Sequence, residues 1–124
     1  MSFQNKTVLI TGGASGMGFL CGKCFAKEGA KIVLVDINPE ALDKCVAEIA
    51  EFQPDVMGCC IDIRDYDKVV EVRDKAVERF GSIDVLINCA GGAETRICRD
   101  WYTEGEFHKI PIEVYDWGLD VNLK

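Results

Sequence analysis

Eight residues near the start of the chain, Thr11-Gly12-Gly13-Ala14-Ser15-Gly16-Met17-Gly18, have the composition and spacing to hold a phosphate group. Without Cβ atoms, Gly12, Gly16 and Gly18 permit unusual backbone angles, close approach of a pyrophosphate, and tight packing of a helix on a strand. A helix beginning after this turn would face the anion with the positive end of its dipole and with unpaired N–H groups. These donors belong to the backbone, so an acidic chain can supply them without Lys or Arg. The alternative is a tight turn between strand and helix that holds no ligand.

A second candidate is Asp36, 18 residues after Gly18. A carboxylate there can accept hydrogen bonds from the hydroxyls of an adenosine ribose, and it repels a further phosphate on that ribose. Ser15 and Ile37 offer no positive charge to receive such a phosphate. The alternative is a solvated Asp at a strand end.

These residues need elements to position them, and the hydrophobic pattern supplies an alternation of strands and helices. Thr7–Ile10 reads as a first strand. Residues 16–28 read as a helix, with Met17, Leu20, Cys21, Cys24 and Phe25 on its apolar face and Gly29 ending it. Lys31–Asp36 is a second strand. Asn38 can cap the next helix, with Pro39 at its first position. Leu42, Cys45, Val46 and Ile49 then form an amphipathic stripe, and Pro54 lies beyond its end. Val56–Ile61 is a third strand. Asp65 can cap a helix over 66–80, whose Val69, Val72, Ala76, Val77 and Phe80 share a face, and Gly81 stops it. Asp84–Asn88 is a fourth strand. Residues 92–110 look irregular, and 111–124 read as a final helix with Val114, Trp117 and Val121 on one face.

Strands that alternate with helices predict an α/β fold, a doubly wound parallel sheet with right-handed crossovers. The strands are near-continuous apolar runs, as expected where helices cover both faces. With 124 residues, one domain over 1–124 is expected. Hydrophobic residues make up 48% and charged residues 28%, a globular balance, and the net charge is -7. That charge, with no Lys/Arg cluster, argues against nucleic acid and against an anionic membrane surface as partners. No stretch approaches the roughly 20 apolar residues of a membrane span. Seven cysteines, an odd count with no signal-like leader, point to reduced thiols and a cytoplasmic setting.

The turn has the spacing Thr-Gly-x-x-x-Gly-x-Gly. In this it resembles the nucleotide turn of the short-chain dehydrogenase/reductase family. The resemblance runs the length of the chain, through Asp62-Ile63 after the third strand, Asn88-Cys89-Ala90-Gly91 after the fourth, and Asn122 within Asp120-Val121-Asn122-Leu123. It implies a Rossmann-type sheet of strand order 3-2-1-4 and a nicotinamide dinucleotide as cofactor, with Asp36 selecting NAD over NADP. The implied cofactor contacts are Gly12, Ser15, Gly16, Met17, Gly18, Asp36, Ile37, Asp62, Ile63, Asn88, Ala90 and Gly91. Asp62 resembles the residue that meets the adenine amino group, with termination of the third strand as its other reading. Asn88, Ala90 and Gly91 resemble an Asn-Asn-Ala-Gly segment beside the cofactor, and Cys89 departs from that pattern by removing an amide. Asn122 resembles the family's catalytic Asn, which holds a helix distortion and a water in a proton relay.

The family's proton donor is a Tyr followed four residues later by Lys and preceded by a Ser. Here Tyr66, Tyr102 and Tyr115 are followed at that distance by Val70, Glu106 and Leu119. The resemblance therefore implies a cofactor-binding portion of an oxidoreductase, moving hydride between NAD and an alcohol or ketone. It implies an acid/base pair beyond Lys124, a small-molecule substrate, and a homo-oligomeric full-length form. A dinucleotide-binding module or sensor without catalysis is the rival. The fourth strand is expected at an open sheet edge, which favours association of the isolated segment.

Three weaker features carry bland readings. Cys21 and Cys24 have CxxC spacing but no second pair, so both are expected to be buried core cysteines, and no metal site is expected. His108 could pair with Cys98 or Cys89, but a loop histidine without catalytic duty is the simpler expectation. The segment around Trp101, Tyr102 and Phe107 is longer than usual for the family; it could border a substrate pocket, form an oligomer contact or act as a flap.

Overall fold

The computed structural model describes residues 2–93, 96 and 109–123. It comprises two compact units, Met1–Ala90 and Gly91–Lys124. The first unit carries four strands, β1 (Thr7–Thr11), β2 (Lys31–Asp36), β3 (Val56–Cys60) and β4 (Val85–Asn88). They form one parallel sheet of order β3-β2-β1-β4, the order the family resemblance implied. Three helices connect them: α1 (Gly16–Lys27), α2 (Pro39–Ala50) and α3 (Tyr66–Phe80).

Side chains alternate across a strand, so β1 and β2 feed two separate cores. Val8, Ile10, Ile32 and Leu34 face one way and pack with Ala26 of α1 and with Leu42, Cys45 and Ile49 of α2. Leu9, Val33 and Val35 face the other way and meet Val72, Ala76 and Phe80 of α3. Cover on both faces explains the unbroken apolar runs of these two strands. β3 shares it, with Val56 in the first core and Cys59 in the second, but β4 does not. β4 alternates, with Val85 and Ile87 packed against the first core while Leu86 is 58% exposed. β4 pairs with β1 alone among the described strands and forms an edge of the sheet.

The helix starts follow their capping residues. Asn38 Oδ1 accepts the Ala41 N–H at 3.0 Å, with Pro39 in the first turn, and Asp65 Oδ1 accepts the Lys68 N–H at 3.2 Å. Each cap contributes about 1 kcal/mol. Gly29 and Gly81 close α1 and α3 where the sequence placed their ends, both in the left-handed region at φ of 86° and 90°.

α1 buries a different face from the one its large residues suggest. Gly18, Gly22 and Ala26 are buried, whereas Met17, Leu20 and Cys24 are exposed and Cys21 is half-buried. The reason is close approach. A Cβ on Gly22 would lie 3.1 Å from the Leu34 side chain and 3.5 Å from those of Ile10 and Ile49. Small residues at i, i+4 and i+8 let the helix settle onto the sheet; Phe19, Cys21 and Phe25 pack partly buried beside them, and Met17, Leu20 and Cys24 are left outside. The expectation that Cys21 and Cys24 are both buried is corrected for the same reason. In α3, Val69 and Val77 flank the buried stripe and remain 40% and 43% exposed.

In the second unit the described helix is α4 (Ile112–Asn122), which buries Val114 and Gly118 and half-buries Trp117 and Val121. Among the described residues, no helix is long and apolar enough to cross a membrane.

Candidate functional site

Parallel pairing brings the carboxyl ends of the four strands into one row. Cys60 of β3 aligns with Asp36 of β2, Val35 with Thr11 of β1, and Thr11 with Asn88 of β4. The glycine turn leaves β1 at the middle of this row, at the point where the strand order reverses. Open α/β sheets bind ligands at that point.

The turn is held from two sides. On the β4 side, Thr11 accepts twice: its carbonyl from the Cys89 N–H at 3.1 Å and its hydroxyl from the Ala90 N–H at 3.2 Å. Gly12, at φ 65°, lies against the same segment, and a Cβ there would come within 2.7 Å of the Ala90 nitrogen. A Cβ on Gly18 would run into the Gly12 carbonyl oxygen and lie 3.3 Å from the Cys89 Cβ. These two positions therefore exclude any side chain. Gly16 is required for another reason: it has φ 51° but open space around it.

On the β2 side, the Val35 carbonyl accepts the Gly13 N–H at 3.0 Å. Asp36 Oδ2 accepts the Ala14 N–H at 3.0 Å, and Oδ1 accepts the Asn38 N–H at 3.1 Å. The Cys45 thiol donates to the Ala14 carbonyl at 3.4 Å. Burial pushes the Cys45 thiol pKa up, so it keeps the proton it donates.

Between these two anchors the start of α1 is left without a side-chain cap. Ser15 is extended and makes no capping bond, unlike Asn38 and Asp65 at the other two helices. The first N–H groups of a helix have no partner within it. The end of α1 thus offers backbone donors and a positive dipole end, with Ser15, Gly16 and Met17 exposed beside them. The residues present fit a pyrophosphate: two glycines keep side chains out of the turn, and the donors are uncapped. Met17 and Ile37, 78% and 60% exposed, offer apolar surface at the ends of the turn and of β2.

Asp62 is engaged with Arg64. The guanidinium donates Nε–H to both carboxylate oxygens at 3.0 Å and from Nη2 to Oδ2 at 2.6 Å, and the Arg64 N–H reaches Oδ1 at 2.9 Å. These guanidinium hydrogen bonds hold the Asp62 carboxyl below its ordinary range. The Arg64 partnership was not read from the sequence, although an acidic and a basic residue two apart after a strand could have signalled it. Ile63 is half-buried and packs on the α3-side core.

In the second unit, Asn122 is tied to Gly92 and Gly118. Its Nδ2 donates to the Gly92 carbonyl at 2.9 Å and to the Gly118 carbonyl at 2.9 Å, and its Oδ1 accepts the Gly92 N–H at 3.1 Å. A Cβ on Gly91 would fall 2.6 Å from Asn122 Oδ1, so a side chain there would displace the Asn122 amide. Cys98 and His108 lie outside the described residues, as do Trp101, Tyr102 and Phe107. Among the described residues, no group of three His, Cys, Asp or Glu could hold a metal ion.

The individual roles of Thr11, Ala14 and Cys45 were not legible from residue types alone. For Thr11 the readable signal was its position before the first glycine. The Cys45 contact joins residues 31 apart and had none.

The short chain dehydrogenase family model matches residues 6–124. The 3-oxoacyl-[acyl-carrier-protein] reductase of Thermotoga maritima is 37% identical over the whole chain, which covers 47% of that protein. A 3-ketoacyl-(acyl-carrier-protein) reductase structure from Brucella melitensis, complexed with NADH, superposes with a TM-score of 0.81 at 28% identity. The match covers 98% of this chain and 46% of that one. A 7α-hydroxysteroid dehydrogenase complexed with NADH and 7-oxo glycochenodeoxycholic acid gives a TM-score of 0.81 at 27% identity, covering 98% of this chain and 44% of that one. The chain thus spans less than half the length of these relatives. With the matching sheet order, the glycine turn at its reversal point and a family match over nearly every residue, the chain belongs to the short-chain dehydrogenase/reductase family of oxidoreductases.

Proposed function

We propose that residues 1–124 are a single domain that forms the NAD-binding portion of an oxidoreductase acting on an alcohol/ketone pair. The observation that carries this reading is the uncapped start of α1 beneath a turn whose Gly12 and Gly18 admit no side chain. Ser15, Gly16, Met17 and Gly18 offer their N–H groups to the pyrophosphate. Asp36 uses its remaining lone pairs for the adenosine ribose hydroxyls and disfavours the added phosphate of NADP. Ile37, Asp62 and Ile63 border the adenine, and Asn88, Ala90 and Gly91 line the far side. Bound there, the nicotinamide supplies the hydride donor or acceptor. Asn122, by its resemblance to the family's catalytic Asn, is assigned to holding a helix distortion and a water in the proton relay.

Two sequence facts shape the rest of the reading. No Tyr in these 124 residues is followed four residues later by Lys, so the proton transfer to substrate falls to residues outside them. The same fact favours a second reading, a dinucleotide-binding module without catalysis of its own. The odd count of seven cysteines supports a reducing, cytoplasmic setting. A homo-oligomeric full-length form completes the proposal.

The test is Asp36→Ala, read by titration with NADH and NADPH. The expected outcome is weaker NADH binding and a reduced preference for NADH. Unchanged affinity and unchanged preference would remove Asp36 from the site. Hydride transfer to a ketone panel, followed by loss of NADH absorbance, separates the enzyme from the binding module.

A further inference from the structure

We propose that Cys45 is a positioning residue for the phosphate turn: by holding the Ala14 carbonyl, its thiol aims the Ser15 N–H at the cofactor's pyrophosphate. The proposal rests on the dinucleotide reading above and adds to it a residue from α2.

Ala14 is buried and has both backbone polar groups fixed by side chains. Asp36 Oδ2 takes its N–H at 3.0 Å, and the Cys45 S–H donates to its carbonyl at 3.4 Å. A peptide unit is planar and trans, so its C=O and N–H point in opposite directions. The Ala14 carbonyl and the Ser15 N–H belong to one such unit. Anchoring the carbonyl inward on Cys45 therefore turns the Ser15 N–H outward, where Ser15 is exposed. Ser15 precedes an α1 that has no side-chain cap, so its amide is the first of the outward donors. Cys45 is itself fixed, buried in the core between α2 and the sheet. A thiol is a weak donor, yet here it holds a group that would otherwise be a buried, unpaired carbonyl.

Three versions of the full protein test this: the native chain, Cys45→Ala and Cys45→Ser. Alanine removes the donor and serine keeps one. In NADH titrations Cys45→Ala should raise Kd by about fivefold, with Cys45→Ser recovering most of that loss. Equal shifts in the two variants, as a purely packing role requires, or no shift in either, would overturn the proposal. The Ser15 amide resonance, read by NMR without cofactor, should move in Cys45→Ala and return towards the native position in Cys45→Ser. An unmoved resonance overturns the proposal independently of NADH. Failure of the native protein to bind NADH, with the Ser15 resonance behaving as stated, would instead sink the dinucleotide reading. If Cys45→Ala does not fold, alkylation of the native protein by iodoacetamide decides. Saturating NADH should slow modification of Cys45 but not of Cys59, which is buried on the opposite face of the sheet. Unchanged Cys45 labelling would overturn the proposal.

Discussion

Asp36 and Ala14 join the end of β2 to the nucleotide turn: Asp36 Oδ2 accepts the Ala14 N–H at 3.0 Å, across 22 residues of sequence. The residue proposed to select the cofactor thus also shapes the turn that binds it. With Oδ1 on the Asn38 N–H, the same carboxylate links turn, strand and the start of α2.

That double duty makes Asp36→Ala costly without any ligand. Loss of a charged acceptor for two backbone N–H groups should lower unfolding free energy by about 1–3 kcal/mol. Asp36→Asn keeps one oxygen acceptor and should fall between the two. Urea unfolding of the three proteins checks the order, and an Ala variant as stable as the native protein would contradict it.

Gly12 and Gly16 both have positive φ, yet they should respond differently to alanine. At Gly12 the new Cβ meets the Ala90 backbone within 2.7 Å, so the turn must shift. At Gly16 nothing lies within 4 Å, and the cost is backbone strain of about 1–2 kcal/mol. Gly12→Ala should therefore destabilise more and weaken NADH binding at least tenfold in calorimetry. Equal effects at the two positions would refute the distinction.

The face that α1 buries is open to a similar contrast. Leu20→Ala, at a position 61% exposed, should change stability by less than about 0.5 kcal/mol. Ile49→Ala, at a fully buried position in α2, should cost about 2–5 kcal/mol. Thermal and urea unfolding of both variants measure the difference.

Much of this architecture could be read from residue types alone. The Asn38–Pro39 and Asp65 starts, and the Gly29 and Gly81 stops, act within a few residues of themselves, so local chemistry fixes them. The parallel sheet follows from apolar runs separated by helices. The misreading of α1 has one cause: hydrophobic periodicity rewards large side chains, whereas this helix packs through Gly18, Gly22 and Ala26. β4 shows a related effect, since an apolar run does not say which strand will lie at an edge with Leu86 exposed. The clamps on Ala14 join distant residues through backbone groups, which carry no compositional mark.

The Asp62–Arg64 pair gives a pH dependence with a definite sign. The Arg64 hydrogen bonds hold the Asp62 carboxyl below its ordinary value of 3.8 in the folded protein. Its ionised form therefore favours folding. That contribution is complete well above the unfolded Asp value of about 3.9 and is lost as pH falls through the lower folded value. Asp62→Asn should show a smaller fall in urea-unfolding stability between neutral and strongly acidic pH than the native protein. An identical fall would mean that the pair does not couple to folding.

The central claim is that the glycine turn and Asp36 make an NAD site, and the direct test is calorimetric titration of the native protein with NADH and with NADPH. The account predicts saturable binding of NADH with an affinity at least tenfold above that for NADPH. Absence of NADH binding at millimolar concentration, or NADPH binding as tight as NADH, would contradict it.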